Sequence, residues 1–262
     1  MASLDMTSGF SNPEGRAVLS ARHLERSFGA VVAAADVCID LAAGERLCLI
    51  GSNGAGKTTF VNMITGYLKP DAGEIMLDGR DITALGPRQI TQLGVARSFQ
   101  VPQLCAELSV LDNMLVAAAC GDGELSFWRP AHTEVKRARA HALLARFDLA
   151  RYQRRRVAEL PGGVRKLLDI AMALTHGPKL LLLDEPTSGV SADEKFPMMD
   201  TVMAALGGEA VTVLFVEHDM DIVKRYASRV IAFYSGRVLA DGAPRAVLAD
   251  VEVQRYVTGT AR

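Results

Sequence analysis

One stretch constrains this chain more than any other. Gly51-Ser52-Asn53-Gly54-Ala55-Gly56-Lys57-Thr58-Thr59 follows the apolar run Leu47–Ile50 and opens into Phe60-Val61-Asn62-Met63-Ile64. The order is G-x-x-x-x-G-K-[ST] between a strand pattern and a helix pattern, the P-loop arrangement. Glycines let the backbone curl so that several N–H groups converge on phosphate oxygens, and the helix N-terminus adds positive potential. A plain glycine turn capping a helix has no need of Lys57 followed by Thr58. Lys57 is expected at the β- and γ-phosphates of a bound nucleotide, and the Thr58 hydroxyl at Mg²⁺. The order Gly51, Gly54, Gly56 fails the dinucleotide pattern G-x-G-x-x-G.

A second element lies far along the chain. Leu180-Leu-Leu-Leu-Asp184-Glu185-Pro186 reads as a buried strand ending in two carboxylates. Alone it fits a strand end and an acidic turn equally well. Beside a P-loop, Asp184 is expected to hold Mg²⁺ and Glu185 to polarise the attacking water.

The remaining pattern supplies a frame for both. Four non-alternating apolar runs recur: Leu47–Ile50, Leu180–Leu183, Val211–Val216 and Val230–Tyr234. Each suits a strand covered on both faces of a parallel sheet. Helix-like stretches lie between them (Lys57–Tyr67, Arg165–Thr175, Asp193–Leu206), giving an α/β core. Residues 18–45 and 73–80 carry strand and turn signals of a flanking antiparallel layer. Residues 104–160 show helical patterns such as Glu134–Phe147 and no buried strand, as in a helical insertion. The expected division is a flexible tail over 1–15 and one domain over 16–262. Within that domain, 16–100 and 166–262 form the core and 101–165 an inserted helical subdomain.

Composition excludes other classes. Lys+Arg 29 against Asp+Glu 30 gives a net charge of −1, which argues against nucleic acid held by bulk charge. No apolar run approaches the roughly 20 residues that span a bilayer. Met1–Pro13 is polar and reads as no signal peptide. The four cysteines, Cys38, Cys48, Cys105 and Cys120, form no CxxC pair. Cys38 and Cys48 sit among apolar residues and read as buried, reduced thiols, with a disulfide or metal role as the lesser alternative.

Further motifs, in order along the chain, resemble those of the ATP-binding subunits of ABC transporters over nearly its whole length. Ala96-Arg-Ser-Phe-Gln100 is similar to the family's Q-loop, where Gln100 touches Mg²⁺ or water and senses the membrane partner. Leu160-Pro161-Gly162-Gly163-Val164 occupies the place of the signature motif, Ser188-Gly-Val-Ser191 that of the D-loop, and Val216-Glu-His218-Asp219 that of the H-loop. The resemblance implies that His218 contacts the γ-phosphate and that Phe28 stacks on adenine. It also implies catalytic roles for Lys57, Gln100, Glu185 and His218, and Mg²⁺ held by Thr58, Gln100 and Asp184. Two motifs depart from the family's pattern. Against the usual signature Leu-Ser-Gly-Gly-Gln, Pro161 replaces Ser and Val164 replaces Gln, and Pro161 supplies neither a hydroxyl nor an N–H. The D-loop ends in Ser191 where Asp is common. Pro161, Gly162 and Gly163 would serve ATP bound by a second ATPase subunit, in a hetero- or homodimer.

Phe28-Gly-Ala-Val-Val, Val95–Gln100 and Leu108–Ala117 resemble the branched-chain amino acid importer subfamily. That resemblance implies two transmembrane permease subunits, a periplasmic solute-binding protein acting indirectly, and a place at the cytoplasmic face of the inner membrane. The solute is expected to be a branched-chain or other amino acid, or a related small polar or organic-acid solute. The alternatives are a non-hydrolytic regulatory subunit and a soluble ABC-type ATPase acting on nucleic acid or ribosomes. Between Arg129 and Arg156 nine basic residues stand against Glu134 and Asp148, a solvated face or a surface meeting anionic headgroups or the membrane subunit.

Overall fold

A computed structural model describes residues 17–120, 133–207 and 211–259. The 1–15 tail and Arg129 lie outside these. Two sheets organise the chain. The larger has the order β10 (Arg237–Gly242), β9 (Arg229–Tyr234), β3 (Arg46–Gly51), β8 (Thr212–Val216), β7 (Leu180–Asp184), β6 (Val95–Ser98). All neighbours are parallel except β9 and β10. The smaller is antiparallel, with the order β2 (Val31–Ala42), β1 (Ala17–Phe28), β4 (Ala72–Leu77), β5 (Arg80–Asp81).

The central strands alternate between two cores, which is why their sequences do not alternate in polarity. Leu47, Leu49, Leu182, Leu214 and Ile231 pack toward the antiparallel sheet and α1 (Lys57–Ile64). Cys48, Ile50, Leu183, Phe215 and Val230 pack toward the helical side. That side includes α3 (Val110–Cys120), α4 (Glu134–Arg146), α5 (Gly162–Ala173), α6 (Ala192–Leu206) and α7 (Met220–Tyr226); a short α2 (Pro87–Gln92) precedes β6. The two-residue period of a strand requires apolar side chains at every position when both faces are covered.

The α/β core, the antiparallel layer and the helical insertion stand as the sequence predicts. Two strands escaped the sequence reading. In β6 only Val95 and Ser98 are buried, and β10 is an edge strand with no buried residue, so neither carries a long apolar run. Helix α1 stops at Ile64 rather than Tyr67 because Gly66 turns left-handed (φ +76°), close against the Leu85 carbonyl; glycine is suited to that C-terminal position. Helix α5 starts three residues before Arg165, at a Gly-Gly pair that helix propensity disfavours. The cysteine expectation fails in part. Cys48 is buried, but Cys38, Cys105 and Cys120 are exposed. In β2, Val37 and Ile39 are buried, and Cys38 between them faces outward.

Candidate nucleotide site

The 51–59 loop is pinned from below and open above. Gly51 ends β3 with φ +155°, and a Cβ there would stand 2.6 Å from the Phe233 carbonyl oxygen. Gly56 (φ +110°) is held 2.5 Å, measured from an added Cβ, from the Ala33 carbonyl oxygen. The Gly236 N–H donates to Ala55 O (2.9 Å), and Gly236 O accepts from Ala35 N (2.9 Å). Ala55, Gly56 and Lys57 are buried, whereas Ser52, Asn53, Gly54 and Thr58 face solvent and Thr59 is intermediate. The loop's backbone is thus fixed before any ligand arrives. Lys57 Nζ donates to Gly51 O (2.6 Å) and Ser52 O (3.0 Å). Burial lowers its pKa, while the Glu185 and Asp184 charges act to keep it protonated.

Three loops converge on Glu185. Its backbone N–H is held by Val216 O at 3.1 Å, and its φ of +46° is unusual for a residue with a side chain. Gln100 Nε2 donates to Glu185 Oε2 (2.7 Å), and His218 Nε2 lies 3.0 Å from Oε1. Gln100 follows β6, Glu185 follows β7 and His218 follows β8, and these strands are neighbours in the sheet. Parallel strands put their C-terminal ends at one edge, so distant residues meet there.

Four residues that the sequence reading missed hold this arrangement. Arg97 Nη2 pairs with Asp184 Oδ2 at 2.6 Å and its Nη1 donates to Asn62 Oδ1 at 2.7 Å. Its guanidinium also lies over the rings of Phe99 (4.9 Å) and Tyr67 (5.9 Å). Buried Glu217 accepts from Thr187 N–H (3.1 Å) and Oγ1 (2.6 Å), and from the backbone N–H groups of His218 (3.0 Å) and Asp219 (3.3 Å). One carboxylate thereby joins the loop after Glu185 to the one carrying His218. Buried Lys166 donates to Phe99 O (2.7 Å), Gln100 O (3.3 Å) and Asp184 O (3.3 Å). Asp169 accepts from Ser98 Oγ (2.5 Å) and Gln103 N–H (3.1 Å). Burial lowers the Lys166 pKa and raises that of Asp169. Lys166 and Asp169 sit three apart on the apolar face of α5, a signal that was visible in the sequence.

Two expected groups stand apart. Among the described residues, neither Phe28 nor the Pro161–Gly163 segment hydrogen-bonds to the Lys57 loop. Phe28 ends β1, half exposed, with Arg26 stacked on its ring at 4.9 Å. Pro161 caps α5, and Gly162 and Gly163 neighbour Gly189 and Val190. The oxygens of Thr58, Gln100 and Asp184 are hard donors of the kind Mg²⁺ takes.

Comparisons with known proteins identify the family. The ABC transporter family profile matches residues 34–188. The chain is 32% identical over 231 residues to a probable branched-chain amino acid transport ATP-binding protein, LivG, of Methanocaldococcus jannaschii, covering 86% of this chain and 89% of that one. It is 32% identical over 252 residues to the high-affinity LivG protein of Escherichia coli K12, covering 93% and 98%. Among solved structures, the ADP conformation of MJ1267, an ATP-binding cassette of an ABC transporter, superposes with a TM-score of 0.83 at 32% identity, covering 91% of this chain and 97% of that one. The chain belongs to the ABC transporter family, as one of its ATP-binding cassettes.

Proposed function

We propose that this chain hydrolyses ATP to drive an importer of branched-chain amino acids or a related small polar or organic-acid solute. The observation that carries the reading is the meeting of Gln100, Glu185 and His218 at one sheet edge, alongside the strand end that leads into the Lys57 loop. The solute follows from the relatives, which are branched-chain amino acid transport ATP-binding proteins.

In this reading Lys57 leaves the Gly51 and Ser52 carbonyls for the β- and γ-phosphates, which satisfy its charge better than neutral oxygens do. The exposed amides of the loop and the α1 N-terminus take the remaining phosphate oxygens. Thr58, Gln100 and Asp184 would hold Mg²⁺, which when bound would supply charge neutralisation at the phosphates. Glu185 orients water and accepts its proton in line with the γ-phosphate. His218, held through its backbone by Glu217, steadies Glu185 and reaches the γ-phosphate. Phe28 stacks on adenine.

Pro161, Gly162 and Gly163 are read as the surface that meets ATP on a second subunit. No Cβ clash forces either glycine, so their small size serves something outside the chain. Closure of the dimer is then favoured because one nucleotide touches two chains, which is differential affinity for the closed state. A groove of about 240 Å³ lined by Tyr67, Arg97, Phe99, Met172 and His176 is where a permease segment would dock, and Arg97 joins it to Asp184. No helix among the described residues is long and apolar enough to cross a membrane, which fits a peripheral subunit at the cytoplasmic face.

Pro161 and Val164 support a second reading, a regulatory subunit that binds ATP without turnover. Phosphate release by the assembled transporter separates the two. Steady release that Glu185→Gln abolishes supports the first; binding without release supports the second.

A further inference from the structure

The antiparallel sheet carries a cluster that the nucleotide chemistry does not use. His23 on β1 and Asp36 and Cys38 on β2 bring one nitrogen, one carboxylate oxygen and one sulfur within 4.8 Å of one another. His23 Nδ1 lies 2.7 Å from Asp36 Oδ1 and 3.8 Å from Cys38 Sγ. All three side chains are exposed.

Their convergence depends on local backbone geometry. Asp36 and Cys38 are two apart on a strand, so they share a face. The β1–β2 register shifts between Ala21 and Leu24, an irregularity of the kind that re-aims a side chain. His23 (φ +49°) and Asp36 (φ +57°) both adopt the left-handed region. Against β4, Gly73 packs so closely on the Arg22 and His23 carbonyls that a Cβ would clash, which fixes the bulge from its other side.

The arrangement does not match a catalytic thiol. In a Cys-His-Asp relay the thiol and the carboxylate occupy opposite ring nitrogens; here both address Nδ1. Three donor atoms within 4.8 Å of one another instead suit a cation, and Cys38 Sγ is further held by the His23 N–H at 3.2 Å. Mixed imidazole, carboxylate and thiolate ligation suits Zn²⁺, with water as the fourth ligand.

We infer that His23 Nδ1, Asp36 Oδ1 and Cys38 Sγ form a surface site for Zn²⁺ or a similar borderline divalent ion, clamping β1 to β2. The ribbon so clamped carries Phe28 at its far end and Ala33 against Gly56.

The test uses the reduced full-length protein, without nucleotide, titrated with Co²⁺ and then Zn²⁺. Co²⁺ should bind one per chain with a thiolate-to-metal charge-transfer band, and Zn²⁺ should bleach it. His23→Ala, Asp36→Ala and Cys38→Ser should each weaken Zn²⁺ binding at least as much as loss of a supporting residue does, about tenfold, with circular dichroism unchanged. As a check that needs no variant, Zn²⁺ should protect Cys38 from alkylation, read by mass spectrometry, while leaving Cys105 and Cys120 reactive. Absence of the charge-transfer band, Zn²⁺ affinity unchanged in all three variants, or equal alkylation of Cys38 with and without Zn²⁺ would each overturn the proposal.

Discussion

Two faces of this cassette are built by opposite means. Around Glu185, side chains from three loops and buried Glu217 interlock, and Lys57 is held under its own glycine loop. At the start of α5, Pro161 and Gly162 are exposed, and neither brings a side-chain donor to a ligand. The glycines differ in the same way. Gly51 and Gly56 have backbone atoms where a Cβ would go, whereas Gly162 and Gly163 have room for one. The chain's own packing therefore enforces its half of the nucleotide site and leaves the outward surface unconstrained. The departures from the usual signature motif, Pro161 and Val164, fall where the fold itself exacts nothing.

The contrast can be tested by substitution, beginning with the largest effect. Glu185→Gln should lower phosphate release by on the order of 10²–10⁴-fold, the usual range for a general base, with ATP affinity by calorimetry nearly unchanged. Lys57→Ala should instead weaken binding and turnover together. Wild-type turnover in Glu185→Gln would remove the base from the mechanism.

Next in size is the scaffold. Glu217→Ala strands buried donors on Thr187 and part-buried ones on His218 and Asp219, so stability should fall by about 1–3 kcal/mol and turnover should drop without contact to substrate. Urea unfolding checks the first and phosphate release the second.

Asp169 gives a pH signature. Burial raises its pKa above 3.8 despite the Ser98 and Gln103 hydrogen bonds. The folded chain keeps that proton where the unfolded chain has lost it. This stabilising contribution is full below 3.8 and fades as pH rises through the folded value. Asp169→Asn cannot titrate, so the stability lead of the parent should be widest near pH 4 and should narrow toward pH 7. A lead that is flat in urea titrations across that range contradicts the assignment.

Smaller effects belong to the outward surface. Pro161→Ser restores a hydroxyl and an N–H, and should raise turnover in the dimer several-fold at most, within the roughly 1.4 kcal/mol of a tenfold change, without altering the subunit's own ATP affinity. Replacing Arg154, Arg155 and Arg156 with Ser should weaken co-purification with the membrane subunits. Arg155 already pairs with Glu159 at 3.6 Å, half exposed, and such pairs contribute little, so the fold should tolerate the change. Unchanged assembly would return the basic run to a solvated face.

Local patterns carried much of this architecture. Lys57 and its glycines are adjacent in sequence, so the loop was legible as written. The apolar runs of β3, β7, β8 and β9 were legible because burial on both faces leaves no polar position to confuse the pattern. β6 was missed because a short edge strand has little to bury. Arg97 was missed because its partner Asp184 is 87 residues away, and no local pattern marks a pairing set by sheet order. Glu217 was passed over beside His218, since its two hydrogen bonds from Thr187 form only when β7 and β8 lie side by side.

Cysteine 38 shows the same division on a smaller scale: composition makes it look like core, and strand phase turns it outward. The sequence by itself determined which segment has the phosphate-loop pattern, which strands are buried and which acids end them, because those properties depend on neighbours along the chain. Only the tertiary structure decided which carboxylate meets Arg97, how Glu217 ties two loops, and that His23, Asp36 and Cys38 face one point. Those outcomes depend on strand order, register and a bulge, which are settled by packing between segments that the chain keeps far apart.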